Sequence, residues 1–303
     1  MRILSVRHIT TYRYKQPVGF GEHRMMLCPR EDHDQRLLEL ELEITPKPTL
    51  LRRSRDVFGN PIASAHFSGR AATLRFESRF RLEHSPSEFV DADIEGYARN
   101  CPFVYAAHDM PHLTPCIERD SSDPEHEVDE WAQEFLRSGG STTTRAFLEG
   151  LARSIHKTFA YKARHERGIQ DALVTLKSGS GSCRDLAMFM IEAVRSLGMA
   201  ARFVSGYLHL RAASEGHSRG GNTHAWVQVY VPGSGWVDFD PSSGVAGNRD
   251  LVRVAVARAP SQAIPLCGVW IGCPADNLGM TVEVRVSTDD AHDSERMAAH
   301  ARS

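Results

Sequence analysis

The sequence predicts an α+β protein in which a β-rich amino-terminal domain precedes a core of helices and an antiparallel sheet. Two observations carry that prediction. Hydrophobicity alternates with period 2 through residues 1–85 and again after residue 201, whereas apolar residues recur at helical spacing between residues 123 and 198. With 303 residues, 41% of them hydrophobic and 24% charged, the chain can bury one large or two ordinary cores. The expected division is a β-rich domain over 1–85, a linker over 86–125, a core with a carboxy-terminal strand over 126–290, and a flexible tail over 291–303.

The elements follow in order. In LLELELEI, Leu38, Leu40, Leu42 and Ile44 fall on one face and Glu39, Glu41 and Glu43 on the other. Leu74, Phe76, Phe80 and Leu82 alternate in the same way in TLRFESRFRLE, and DVFGNP (Asp56–Pro61) is a turn. Residues 86–125 are rich in Pro and polar residues without periodicity, which reads as a wrapping linker. A helix is then expected with Asp123 as cap, Pro124 at its first position, Val128, Trp131, Phe135 and Leu136 inward, and Gly139 as its stop. A second helix has Phe147, Leu148, Leu151 and Ile155 inward. A third starts at Cys183, has Leu186, Phe189, Met190, Ala193 and Leu197 on its apolar face, and stops at Gly198. The strands ARFVSGYLHL, HAWVQVYV and GWVDFDP follow, with a flexible loop RAASEGHSRGGN after the first. MTVEVRVS is a last strand with Val282, Val284 and Val286 inward.

Composition excludes several function classes. A net charge of −2 gives no electrostatic case for nucleic acid or an anionic membrane as partner. No apolar run approaches the ~18 residues of a membrane span. The start MRILSVRHITTYRY lacks the apolar region of a signal peptide, so a cytoplasmic location is expected. The six cysteines, Cys28, Cys101, Cys116, Cys183, Cys267 and Cys273, are scattered and fit no metal-ligand spacing. Reduced thiols, no metal and no cofactor are expected.

One cysteine stands at a special place. The Gly/Ser run before Cys183 ends where a helix begins, and Ser182 and Asp185 have capping-box spacing. A sulfur at a helix start lies among unpaired N–H groups at the positive end of the dipole, which favours the thiolate. His224 opens a strand 41 residues later, and Asp240 ends the next strand 16 residues beyond it. If those strands form a hairpin, a nucleophile, a base and an orienting carboxylate meet. Asp238 competes with Asp240, because period 2 puts both on one face. For Asp238 the expected alternative is a surface role, facing solvent or pairing with an arginine.

These segments also resemble a known family. GSCRDLAMFMIEAVRSLGMAARFVSGYL and THAWVQVYVPGSGWVDFDPSSG are similar to the core motifs of the bacterial transglutaminase-like superfamily, over about residues 145–245. HITTYRY, LCPR and DVFGNP resemble the amino-terminal β domain that accompanies this core in bacteria, and RVAVARAPSQAIPLCGVWIG resembles the segment after it. The resemblance implies a papain-like, transglutaminase-like core with Cys183 as nucleophile, His224 as general base and then acid, and Asp240 as orienter. Its Asp-Pro motif favours Asp240 over Asp238. Leu186 and Ser242 depart from the family's frequent aromatic and Thr, and neither is a reacting group. The Cys183 N–H is the expected oxyanion donor, with Tyr161 a candidate for the second. The expected activity is a protease or amidase on a peptide, protein or polyamide substrate. Amine transfer by a cross-linking enzyme, a non-catalytic peptide-binding module, and a zinc hydrolase using the same three residues are the alternatives.

Overall fold

One long strand organises the amino-terminal sheet. β1 (Arg2–Met25) is flanked by β5 (Arg70–His84) and β4 (Pro61–His66), with β2 (Gln35–Thr45) and β3 (Leu50–Arg55) outside them, in the order β2-β5-β1-β4-β3. The structure, a computed structural model, describes residues 1–86, 88–136, 141–164, 168–209 and 223–288. Leu74, Phe76, Phe80 and Leu82 are buried as the alternation requires. On β2 the expectation holds only in part: Ile44 is buried, but Leu38 and Leu40 are exposed. β2 is an edge strand, its register against β5 shifts between Leu37 and Glu39, and Leu40 stands opposite Phe80 at the margin of the sheet. Glu39 and Glu41 pair across the strand with Arg81 and Arg79 on the solvated face. The β3–β4 turn forms as read: Asp56 accepts the N–H groups of Phe58 at 2.9 Å and Asn60 at 2.8 Å, and Gly59 takes a φ of +77°.

The span 86–125 is more than a wrapping. It contains two 3-10 turns and α1 (Met110–Ile117), and it places Phe89, Ile94, Phe103, Tyr105 and Leu113 in the core. These anchors are single and aperiodic, so they leave no pattern in the sequence. α2 (Glu127–Gln133) begins later than expected. Asp123 does cap it, accepting the Glu127 and Val128 N–H groups at 3.0 Å each, but Pro124 sits in the turn before the helix. Gly139 lies outside the described residues.

A short two-strand pairing joins β6 (Asn100–Cys101) to β7 (Thr142–Thr143), which leads into α3 (Thr144–Thr158). Thr143 caps α3, and Phe147, Leu148, Leu151 and Ile155 are buried as expected. β8 (Ala160–Tyr161) follows, then α4 (Ala172–Ser178), an unpredicted helix capped by Asp171. β9 (Ser180–Gly181) runs parallel to β8 and delivers the chain to α5 (Cys183–Arg195).

α5 is central rather than amphipathic. Every residue from Cys183 to Arg195 except Arg184 is buried, because the helix packs on a sheet on one side and on α2, α3 and α4 on the other. Its inward charges are satisfied by the 115–121 segment. Glu192 accepts N–H groups of Asp120 and Ser121 and pairs with Arg119, while Arg195 binds Asp120 at 2.9 Å. That sheet contains β10 (Ala201–Leu208), β11 (His224–Val231), β12 (Gly235–Asp240), β13 (Val245–Ala246) and β14 (Leu251–Ala257), in the order β13-β12-β11-β10-β14. The loop expected after β10 falls within 210–222, outside the described residues.

The carboxy-terminal strand was grouped with the catalytic core on sequence. In the structure β15 (Leu266–Ile271) and β16 (Asn277–Thr288) instead run antiparallel along β1, from Leu266 opposite Met25 to Thr288 opposite Leu4. Val284 is buried there, with Val282 and Val286 half-buried. Strand alternation gives a buried face but not the sheet that covers it. One hydrophobic cluster runs through Leu4, Val6 and Phe80 of the first sheet, α5, and Val227 and Phe239 of the second. The tail expected over 291–303 lies outside the described residues.

Candidate active site

The amino terminus of α5 is locked before Cys183 is placed. Asp185 reaches back to Ser182, one carboxylate oxygen accepting its N–H at 2.9 Å and its hydroxyl at 2.7 Å. The other oxygen accepts from the Gln170 N–H at 2.7 Å and the Arg164 guanidinium at 2.8 Å. Cys183 is the first helical residue and only 9% exposed. Its N–H is among the helix donors with no intrahelical partner.

The β11–β12 hairpin brings the other two residues together. Pairing of Val227 with Phe239 and of Gln228 with Asp238 sets Asp240 beside the start of β11. His224 Nε2 donates to Asp240 Oδ2 at 2.9 Å, and the imidazole is also hydrogen-bonded to Cys183. With Nε2 taken by the carboxylate, Nδ1 is the nitrogen left for the sulfur. Asp240 is held by three further bonds. Oδ1 accepts the Ser242 N–H at 2.9 Å and its hydroxyl at 2.7 Å, and Oδ2 accepts the Ser243 hydroxyl at 2.7 Å. Ser242, a departure from the family's Thr, thus keeps a hydroxyl on the carboxylate.

The electrostatics follow from this chain of contacts. Burial opposes the charge on Asp240, but the His224 charge and hydrogen bond, with Ser242 and Ser243, outweigh it and lower its pKa to about 2. Burial also opposes a charged His224, yet Asp240 and Cys183 together raise its pKa. For Cys183, burial pushes the thiol up, while the hydrogen bond and charge of His224 and the Ala225 N–H bring it below its ordinary value. The arrangement favours a thiolate beside an imidazolium. The Tyr161 hydroxyl is hydrogen-bonded to the same sulfur, and burial and then the Cys183 charge push its pKa up to about 12. Tyr161 is 52% exposed, so its ring borders solvent.

Asp238 goes elsewhere, and the expectation of a surface role is overturned. It is 4% exposed, accepts the Trp226 indole N–H at 2.7 Å on Oδ1, and pairs with Arg253 at 2.9 Å through Oδ2. Trp226, Val204, Leu251 and Val256 form a buried apolar cluster on this side of the sheet, against Phe58 of the amino-terminal region. Sequence reasoning missed Trp226 as a neighbour of His224, although its position two residues along β11 places it on the same face. The three candidate residues do not converge as zinc ligands would. Asp240 binds one nitrogen of the imidazole, and among the described residues the three do not bring their ligand atoms within 4.8 Å of one another.

Known proteins share both halves of this architecture. Residues 4–83 match the family described as the bacterial transglutaminase-like N-terminal region, and residues 129–241 match the transglutaminase-like superfamily. An uncharacterised Mycobacterium tuberculosis protein is 26% identical over 288 residues, covering 87% of this chain and 86% of its own. A Mycobacterium leprae protein is 36% identical over 105 residues, 34% of this chain; the shared stretch spans 37% of that protein. A protein-glutamine gamma-glutamyltransferase of Pseudomonas aeruginosa is 33% identical over 106 residues, 33% of this chain and 16% of that protein. A crystal structure from Cytophaga hutchinsonii, described as a cysteine protease candidate, superposes with a TM-score of 0.72 at 15% identity, covering 95% of this chain and 90% of that one.

Proposed function

The chain belongs to the transglutaminase-like superfamily and carries its bacterial amino-terminal region, and from that premise we propose a thiol-dependent acyl-transfer enzyme that acts through Cys183, His224 and Asp240. The observation that carries the reading is the single imidazole bridging a sulfur at a helix start and a four-fold hydrogen-bonded carboxylate. The thiolate attacks a carboxamide or peptide carbonyl carbon. The oxyanion that forms is met by the Cys183 N–H and the Tyr161 hydroxyl. His224 gives its proton to the leaving amine or ammonia, the C–N bond breaks, and a thioester remains on Cys183. His224 then takes a proton from water as water attacks, and the acid product leaves. Asp240 stays ionised throughout and holds the imidazole.

Hydrolysis, as a protease or amidase on a peptide, protein or polyamide, is the reading we favour. The Pseudomonas relative's name supports amine transfer as the second reading, in which a lysine-like amine replaces water at the same thioester. Mass spectrometry of the protein with a panel of peptides and polyamides, with and without an added primary amine, tests both. Expected is a mass gain on Cys183 that water discharges. Discharge only by the amine establishes cross-linking, and no adduct with any substrate counts against the enzyme reading and favours a peptide-binding module.

A further inference from the structure

His224 is anchored on Nε2 by its hydrogen bond to Asp240, and its other side meets Cys183. Two contacts on opposite sides of the ring fix an axis, and the ring can still turn about it. Trp226 lies alongside that ring, 6.0 Å from the imidazole, centroid to centroid, at 26°. Trp226 is fully buried, and its own orientation is set at both ends. Its ring edge lies over Gly206, the Cα partner of His224 on β10, where a Cβ would come within 2.7 Å of the indole and 2.0 Å of the Val252 carbonyl oxygen. Its N–H is bound by Asp238 at 2.7 Å.

Asp238 in turn is held from the amino-terminal region. Arg253 donates to it at 2.9 Å and also binds Asp34, which lies between β1 and β2 and whose other oxygen takes Asn248. The Gln35 side chain clamps the Arg253 backbone, accepting its N–H at 3.0 Å and donating to its carbonyl at 2.7 Å. All of Asp34, Gln35, Asp238 and Arg253 are buried.

We propose that Asp238, backed by Arg253 and Asp34, is a positioning residue that sets the ring plane of His224 through Trp226, so that the amino-terminal region is a working part of the active site. The proposal rests on His224 being the general base. A buried network of charge-assisted bonds resists rotation better than packing alone. If the indole turns, the imidazole loses its aim at Cys183 while keeping Asp240, and the thiolate loses its partner.

The test uses the full chain carrying Asp238→Asn, Trp226→Phe or Asp34→Asn. The pH dependence of Cys183 alkylation by iodoacetamide is followed by peptide mapping, alongside single-turnover acylation by an activated ester. The alkylation midpoint of folded variants is expected to rise by about one pH unit. Acylation should slow about 10-fold, as for other outer-shell partners, at an unchanged KM. A purely structural network would move the melting temperature and leave the midpoint in place, and that result overturns the proposal. If Asp238→Asn does not fold, Trp226→Phe decides, since it keeps an aromatic ring beside His224 while removing the bond to Asp238 and part of the indole's packing. A wild-type Cys183 that titrates as an ordinary thiol overturns the enzyme reading itself. A depressed wild-type midpoint with unshifted variants overturns this inference alone.

Discussion

Two carboxylate sites lie two residues apart on β12 and are built in opposite ways. Asp240 is surrounded by an imidazole, two serine hydroxyls and a backbone N–H, while Asp238 meets a guanidinium, with an indole N–H beside it. The serine hydroxyls and the backbone N–H stabilise the Asp240 anion without cancelling its charge, which acts on His224. Arg253 cancels the charge of Asp238, which then serves as a fixed acceptor. The pKa directions differ: lowered to about 2 for Asp240, where the His224 charge and the hydrogen bonds outweigh burial, and raised for Asp238, where burial outweighs Arg253. Identical side chains on one face of one strand thus acquire different work from what the neighbouring strands bring to them.

Removing the sulfur separates the reacting atom from both carboxylate sites. Cys183→Ala should abolish turnover and alkylation at this position, with a stability change within about 1 kcal/mol, as the thiol is a small group at a helix start. A melting curve beside an activity assay checks this, and a large loss of stability would make Cys183 a core filler. At the Asp238 site the largest effect is on folding. Asp238→Ala leaves Arg253 buried beside Asp34 alone, and a loss of about 3–5 kcal/mol is expected. Urea unfolding measures it; a loss under about 1 kcal/mol would return Asp238 to a surface-like role.

Asp240→Asn should act on rate. An amide can present NH₂ to the imidazole and favour the wrong tautomer, and a loss of roughly 10–10³-fold in single-turnover acylation is expected, less than in serine proteases because the thiolate is already formed. Equal rates for wild type and variant would mean that the Cys-His pair works without an orienter. Acid sharpens the contrast further. Because the folded pKa of Asp240 lies at about 2, below that of an ordinary carboxylate, its contribution is present above pH 4 and lost as pH falls toward 2. Asp238, raised in the fold, has the opposite sign and loses nothing over that window. The stability difference between wild type and Asp240→Asn should therefore shrink by about 2 kcal/mol from pH 5 to pH 2. A pH-independent difference would mean that Asp240 is not ionised in the folded state.

Much of this was legible in the sequence because it is local. The cap at Ser182 and Asp185, the inward residues of α3, the β3–β4 turn and the alternation of β5 depend on neighbours within a few positions. The resemblance added Asp240 over Asp238, which alternation could not choose. Other features were hidden for definite reasons. α5 reads as amphipathic, yet Glu192 and Arg195 are inside because the 115–121 segment supplies partners from 70 or more residues away. α4 is short, and the anchors of 86–125 are single residues, so neither has a period to detect.

The sequence by itself determined the residue types of the site, their order, and the helix start that favours a thiolate, since these are properties of short stretches and of spacing. Only the tertiary structure decided which nitrogen of His224 faces which partner, that Asp238 is buried on Arg253, and that β15 and β16 close the first sheet along β1. Those outcomes turn on which distant segments pack together. A β-strand specifies its two faces through its own alternation, but the partner at its edge and the groups across its face are set by the rest of the chain.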